Sequence, residues 1–116
     1  MAGGIASVEL VSAMSKGGYL AFFGAGGLSL LGVENALEQL QTLDGLWGCN
    51  LLHNPQEPAV EEQTVDLFLK YGVKLASASA FMKLTKAIVR YRTHGIHEKD
   101  GTVICPNAVF AKVSHP

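Results

Sequence analysis

The feature that most constrains the fold is a regular alternation of apolar runs and amphipathic stretches. Apolar runs begin at Tyr19, Leu46 and Val73, so each starts 27 residues after the one before (46 − 19 and 73 − 46). Each run leads through a loop of small or polar residues into an amphipathic stretch that closes on a glycine. This alternation predicts βα units around a parallel sheet. Eight units make a (β/α)₈ barrel of about 250 residues, so 116 residues predict about its first half.

Three apolar stripes and one capped segment predict the helices between these strands. Ser7 is placed to cap a helix from Val8 to about Lys16. Its predicted inward face is Leu10, Val11 and Met14. The later stripes recur at helical spacing and comprise Val33, Ala36, Leu37 and Leu40, then Val65, Phe68 and Leu69, then Leu84, Ala87, Ile88 and Tyr91.

The rhythm is interrupted between Ile96 and Cys105. Asp100-Gly101 lies there between two short β-prone runs, which is a signal for a two-residue β-hairpin. A further strand is predicted from Ala108 to Val113. We therefore expect a β-hairpin inserted before the fifth barrel strand, within a single domain over residues 1–116. Such a half barrel would leave a strand edge and an apolar face open, which favours homo-oligomers or aggregation.

The composition excludes several classes of protein. The net charge of −1 argues against a nucleic-acid partner. The uncharged stretch 17–33 falls short of the roughly 20 apolar residues that cross a bilayer, so no membrane span is expected. Cys49 and Cys105 lie far apart beside apolar runs, and we interpret both as buried, reduced thiols of a cytoplasmic protein.

Candidate site residues follow the predicted strands, because ligands of parallel α/β proteins gather at the carboxyl ends of strands. These ends are Gly3-Gly4-Ile5, the loop 24–27 (GAGG), Asn50 and the segment 77–80. Glycine lets a backbone approach a flat ligand closely, and an amide both donates and accepts hydrogen bonds. The glycine loops could equally be tight turns, and Asn50 could cap the segment that follows it.

Other polar residues are interpreted as surface groups. This applies to His53, His94, His97 and His115, none of which is spaced with carboxylates as a metal site requires. It also applies to Glu61, Glu62 and Asp66, whose charges suit a helix N-terminus. The basic run Lys83, Lys86, Arg90 and Arg92 is interpreted as a solvated face, with a docking patch for an acidic partner as the alternative.

Four strings carry a resemblance to a known family: GGIASVELVSAMSKGGYLAFFGAGG, WGCNLLHNPQEP, KLASASAFMKLTKAIVRYR and PNAVFAKVS. The chain resembles the trans-acting enoyl reductases of polyunsaturated-fatty-acid synthases and trans-acyltransferase polyketide synthases, which belong to the FMN-dependent nitronate monooxygenase superfamily. The resemblance implies a TIM-type barrel that holds FMN. It further implies that NAD(P)H reduces the flavin, which then reduces a trans-2-enoyl thioester on an acyl carrier protein.

The resemblance also implies roles for individual residues. Gly3, Gly4 and Ile5 match the first-strand turn that lies against the isoalloxazine ring, and Asn50 matches the asparagine that hydrogen-bonds FMN. Gly24, Gly26, Ser77 and Ser79 match the same cofactor-binding face. The phosphate-binding loops of such barrels follow strands seven and eight, which lie beyond this chain. A fragment alone is therefore expected to bind FMN poorly and to be inactive.

Two alternatives remain open at this point. The first is part of a nitronate monooxygenase, which has the same barrel and flavin but a different substrate. The second is a small, non-catalytic binding module with a flavodoxin-like fold.

Overall fold

The computed structural model describes residues 6–81 and 83–111. Gly3, Gly4, Ile5 and His115, and the predicted end of the last strand at 112–113, lie outside this part. The elements in chain order are α1 (Val8–Lys16), β1 (Phe22–Gly24), α2 (Leu30–Leu40), β2 (Gly48–Leu52), α3 (Pro58–Lys70), β3 (Leu75–Ser79), α4 (Lys86–Thr93), β4 (His97–Lys99), β5 (Thr102–Ile104) and β6 (Ala108–Ala111).

Four strands form a parallel sheet in the order β1-β2-β3-β6. Phe23 pairs with Cys49, Cys49 with Ala76, and Ala76 with Val109. The predicted α/β fold with a parallel sheet is therefore confirmed. The described strands follow one another in chain order, without the reversal that defines a doubly wound sheet.

The four helices form one layer, in which α1 packs on α2, α2 on α3 and α3 on α4. Their buried side chains meet one face of the sheet. The fully buried centre includes Val33, Leu37, Leu40, Val65, Phe68 and Tyr91 from the helices and Phe23, Cys49, Leu51, Ala76 and Ala78 from the strands. The predicted apolar stripes of α2 and α3 thus face the core, with Leu69 partly buried.

Local hydrogen bonds set where the helices begin. The hydroxyls of Ser7, Ser29 and Thr85 accept backbone N–H groups of the first turns of α1, α2 and α4. Helix α3 instead begins at Pro58, whose fixed φ suits the first helical position. In the loop before it, Asn54 Oδ1 accepts the N–H groups of Gln56 and Glu57.

The predicted hairpin is confirmed. Strands β4 and β5 pair antiparallel, and the turn residues Asp100 and Gly101 have φ values of 53° and 78°. Two positive φ values are the requirement of the favoured two-residue hairpin turn. The hairpin connects the end of α4 to the start of β6, so it lies at the amino-terminal edge of the sheet.

Several predicted positions are wrong in detail. Strands β1 and β2 begin later than their apolar runs, so Tyr19 and Leu46 are exposed. Leu10 and Met14 of α1 are also exposed, because the helix turns Val11 and Ser15 inward. Leu84 precedes the Thr85 cap of α4 and is 81% exposed.

Candidate functional site

A row of small and polar residues crosses the sheet near its carboxyl edge. Gly24, Asn50 and Ser77 are register partners on three neighbouring strands. The Ser77 hydroxyl donates to Asn50 Oδ1 at 2.8 Å, and the Ser79 hydroxyl donates to the same oxygen at 2.9 Å. Asn50 and Ser77 are buried, and Ser79 is half-buried. The structure thus brings together four residues that the sequence analysis placed near a cofactor.

The two serines orient the Asn50 amide. Because both hydroxyls donate to Oδ1, the oxygen side of the amide faces β3 and the Nδ2 donor side is turned away from it. Asn54, in the loop that precedes α3, accepts the N–H groups of Gln56 and Glu57, and no side-chain hydrogen bond caps α3 itself. Asn50 is therefore a buried, oriented amide at the end of a strand.

The glycine loop after β1 borders a cavity beside this row. Gly24, Ala25 and Gly26 are buried, and Gly27 has a positive φ of 81°. The cavity has a volume of about 60 Å³. Its lining includes Gly26, Asn50, Leu52, Asn54, Glu61 and Thr64. A space of this size holds one or two waters, so a ring-sized ligand would have to lie outside it, across the ends of the strands.

A second polar group lies at the same edge of the sheet. His53 Nδ1 is 2.7 Å from Glu61 Oε1, and the Thr85 hydroxyl donates to Glu61 Oε2 at 3.2 Å. Glu61 is only 5% exposed, and the His53 ring packs against the Phe81 ring with centroids 4.9 Å apart. The prediction that His53 and Glu61 are solvated surface groups is therefore wrong, since α3 and the cap of α4 enclose the carboxylate.

The face of the sheet away from the helices carries an aromatic pair. The Phe22 and Phe110 rings meet edge to face with centroids 5.7 Å apart. Gly48 lies beneath Phe22: a Cβ there would stand 2.7 Å from the ring and 2.6 Å from the Leu75 carbonyl oxygen. Phe110 is 51% exposed and Leu52 is 41% exposed. This face therefore presents apolar surface next to the polar row.

The basic residues near α4 behave differently from one another. Arg90 contacts Glu62 Oε2 at 2.8 Å and Asp66 Oδ1 at 2.7 Å, which ties α4 to α3. Desolvation lowers the pKa of Arg90, but the hydrogen bonds with the two carboxylates outweigh it and leave the pKa raised. Lys83, Lys86 and Arg92 are exposed. Arg90 thus differs from the rest of that run by its two ion pairs, although its side chain is 38% exposed.

The two cysteines also differ. Cys49 is fully buried, and desolvation raises the pKa of its thiol. Cys105 is exposed, so its predicted burial is wrong: it follows β5 and lies outside the helix-covered core. Within residues 6–81 and 83–111, no three His, Cys, Asp or Glu side chains are grouped as a metal ion requires. No helix in those same ranges is long and apolar enough to span a membrane.

Comparison with known proteins relates the chain to natural-product and lipid synthesis. No protein-family model matches it. It is 44% identical over 97% of its length to the polyketide biosynthesis protein PksE of Bacillus subtilis. It is also 44% identical over 98% of its length to one of the polyunsaturated fatty acid synthase subunits of a Thraustochytrium species. The chain spans 15% and 8% of those two proteins.

A solved structure gives the same relation. The whole chain superposes on 28% of the enoyl reductase domain of MlnA, from the macrolactin biosynthesis cluster of Bacillus amyloliquefaciens, with a TM-score of 0.94 and 32% identity. The chain is a relative of polyketide and polyunsaturated fatty acid synthase proteins. Its fold matches one part of an enoyl reductase domain.

The sequence analysis selected the residues of the Asn50 row but did not predict the hydrogen-bonded group of His53, Glu61 and Thr85. Its members come from a loop, a helix and a helix cap that are separated by 8 and 24 residues. The only sequence signal was the position of His53 just after a strand, on the edge where ligands gather. The identity of its partner depends on how α3 and α4 pack against each other.

Proposed function

We propose that this chain is part of an FMN-dependent enoyl reductase, an oxidoreductase of polyketide or polyunsaturated fatty acid biosynthesis. It would reduce trans-2-enoyl thioesters on an acyl carrier protein, with NAD(P)H as the source of hydride. The parallel sheet in chain order would be four consecutive strands of a (β/α)₈ barrel, which is supported by the single layer of helices packed in the same order.

The observation that carries the proposal is the oriented amide of Asn50. Its Oδ1 accepts two serine hydroxyls, which fixes the orientation of the amide at the carboxyl end of β2. The ring of a flavin carries hydrogen-bonding groups along its edge, which an amide of fixed orientation suits. Gly24, directly beside Asn50 in the register, has no side chain to block a flat ring. The residues present therefore fit the ring of FMN.

The residues that line the cavity include no Arg or Lys for the phosphate of FMN. The first turn of α3 borders the cavity, but it places the carboxylate of Glu61 there, and a carboxylate repels a phosphate. Phosphate groups are bound most strongly by Arg and Lys. We infer that these residues hold the ring of FMN and that another part of the enzyme holds its phosphate. The bound flavin would supply the hydride chemistry, while Asn50, Ser77 and Ser79 bind and orient its ring.

An Asn50→Ala substitution tests this proposal in the intact native chain that contains residues 1–116. We expect flavin affinity to fall about tenfold, since one hydrogen bond and the fixed orientation are lost. The measurement is FMN released on denaturation and titrated by fluorescence. Asn35→Ala, on the exposed side of α2, is the matched control and should leave flavin binding unchanged.

The substrate is tested separately, by turnover. The wild-type protein should purify yellow and oxidise NAD(P)H when given a trans-2-enoyl thioester, and it should not turn over an alkyl nitronate. A colourless protein, or turnover of the nitronate alone, would overturn the proposed function. Unchanged flavin occupancy in Asn50→Ala would show that the amide has only a structural role.

A further inference from the structure

We propose that the start of α4 is the surface on which the acyl carrier protein docks, through an acidic face of the carrier; this inference rests on the proposed function and deepens it. The docking surface consists of Lys83, Leu84, Lys86 and Val89, all of them exposed, and we name it the α4 surface. A substrate that is covalently attached to a carrier protein reaches a site only if the carrier binds close to that site.

The first observation is that positive charge is concentrated in one part of the sequence. Residues 1–66 contain eight Asp or Glu and a single Lys, whereas residues 67–97 contain six Lys or Arg and no Asp or Glu. The net charge of the whole chain is only −1, so it hides this separation. A segment with charge of one sign creates a local field that attracts partners of the opposite sign.

Two lysines at the start of α4 keep their charge free for a partner. By contrast, Lys70 lies 3.3 Å from Glu34, and Arg90 contacts carboxylates of α3. Lys83 and Lys86 are exposed, and within residues 6–81 and 83–111 neither of them forms an ion pair. Carboxylates of a second protein can therefore approach both lysines without displacing a carboxylate of this chain.

Two exposed apolar side chains adjoin these lysines. Leu84 and Val89 line a shallow groove of about 450 Å³ together with Lys86, and Leu84 is the most exposed of the large apolar side chains that the structure describes. An apolar centre within a charged rim is the usual anatomy of a protein–protein interface. The matching surface of the carrier protein is therefore acidic, with an apolar side chain at its centre.

A second groove, on the other side of Leu84 and Val89, is not part of the α4 surface. It is lined by Ile88 and by Val109 of β6. Each described helix packs on the helix before it in the chain, so in the proposed barrel the helix that follows β6 would pack on this side of α4. The groove lined by Lys86 is also lined by Arg90 and thus lies toward α3, where it stays open.

The α4 surface lies at the same edge of the sheet as the proposed flavin site. Leu84 and Lys86 flank Thr85, whose hydroxyl donates to Glu61 Oε2 at 3.2 Å. Glu61 in turn lines the cavity beside Asn50. A carrier protein bound at the α4 surface would therefore deliver its thioester to the carboxyl edge of the sheet, where ligands of parallel α/β proteins bind.

The decisive experiment uses the intact native protein and two forms of one substrate. The first form is the enoyl thioester on the acyl carrier protein of the same synthase, and the second is the same enoyl group on N-acetylcysteamine. In the double variant Lys83→Glu/Lys86→Glu, we expect KM for the carrier-bound form to rise about tenfold or more, because attraction becomes repulsion. KM and kcat for the small thioester should not change. Absorbance of NAD(P)H follows both reactions.

Lys74→Glu is the matched control. Lys74 is exposed and belongs to the same segment without Asp or Glu, but it directly precedes β3 and so lies at the amino-terminal edge of the sheet. The same reversal of charge at that edge should leave KM for both forms of the substrate unchanged.

Two further measurements do not depend on the double variant. Raising the ionic strength from about 0.1 M to about 1 M shortens the screening length from about 10 Å to about 3 Å, which should raise the wild-type KM for the carrier-bound form alone. Leu84→Ser should raise the same KM several-fold, since less apolar area is buried against the carrier. Its stability should not fall, because Leu84 is 81% exposed.

The outcomes separate this inference from the proposed function. An unchanged KM for the carrier-bound form in the double variant would overturn the docking surface and leave the proposed function intact. An equal rise in KM for both forms would also overturn it, since the lysines would then act on the site and not on the carrier. Wild-type protein that binds no flavin, or that reduces neither form, would instead contradict the proposed function.

Discussion

The two faces of the parallel sheet are built from alternate residues of the same strands, yet they differ in kind. The face under the helices is apolar and closed: Cys49, Leu51, Ala76 and Ala78 are at most 5% exposed. The opposite face combines the oriented amide of Asn50 with partly exposed apolar side chains such as Phe110. Because side chains alternate across a strand, one strand serves both faces at once.

This difference separates stability from binding. The helix-covered face is stabilised by burial of apolar area, at roughly 25 cal/mol per Å². The opposite face buries less, and its hydrogen bonds hold an amide in one orientation. We therefore expect substitutions on the helix-covered face to have the larger effect on the free energy of unfolding. Substitutions on the opposite face should affect ligand affinity more than they affect the free energy of unfolding.

The largest expected effect on stability comes from removing a large side chain from the helix-covered face. Phe68 is fully buried and meets the Tyr91 ring edge to face, so Phe68→Ala should destabilise the chain by about 3–5 kcal/mol. Phe110→Ala, the matched change on the open face, should cost under about 1 kcal/mol because the ring is half exposed. Urea unfolding followed by circular dichroism measures both, and equal losses would contradict the comparison.

A smaller effect is expected from the polar row of the open face. Ser77→Ala removes a buried hydroxyl that donates to Asn50 Oδ1, which should cost about 1 kcal/mol of stability. Flavin affinity should fall too, since one of the two groups that orient the amide is gone. Ser79→Ala, at a half-buried position with the same acceptor, should cost less by the same unfolding measurement. If Ser79→Ala lost more stability than Ser77→Ala, burial of the hydroxyl would not determine how much each of these hydrogen bonds contributes to the free energy of unfolding.

The smallest effect should come from a carboxylate on neither face. Hydrogen bonds from Tyr71 and Lys70 lower the pKa of Glu34, so the folded state favours its ionised form. Its contribution to stability is therefore present at neutral pH and is lost as the pH falls through the lowered pKa. Wild type should lose more stability on acidification than Glu34→Gln, as measured by unfolding at a series of pH values. If the stability of wild type and of Glu34→Gln fell in parallel with pH, the hydrogen bonds of Glu34 with Tyr71 and Lys70 would contribute nothing to the pH dependence of stability.

The sequence predicted the elements well because their signals are local. The 27-residue rhythm, the apolar stripe Val33–Leu40 and the Asp100-Gly101 turn each depend on neighbours within one element. Errors lie where an element meets another: Leu10 and Met14 face solvent because the inward direction of α1 depends on the position of α2. The strand starts were misplaced for a similar reason, since pairing with a neighbour decides which apolar residues join the sheet.

In the candidate site, too, the sequence predicted some features and the tertiary structure determined the others. Asn50, Ser77 and Ser79 were selected because they lie at the carboxyl ends of predicted strands. The apolar pattern of the sequence is enough to predict the strands, and ligands of parallel sheets bind at their carboxyl ends. That both hydroxyls donate to one oxygen of Asn50, and that Glu61 is buried between His53 and Thr85, depends on the register of β2 with β3 and on how α3 packs against α4. Hydrogen bonds between distant residues need distances of about 3 Å, and only the tertiary structure fixes distances on that scale.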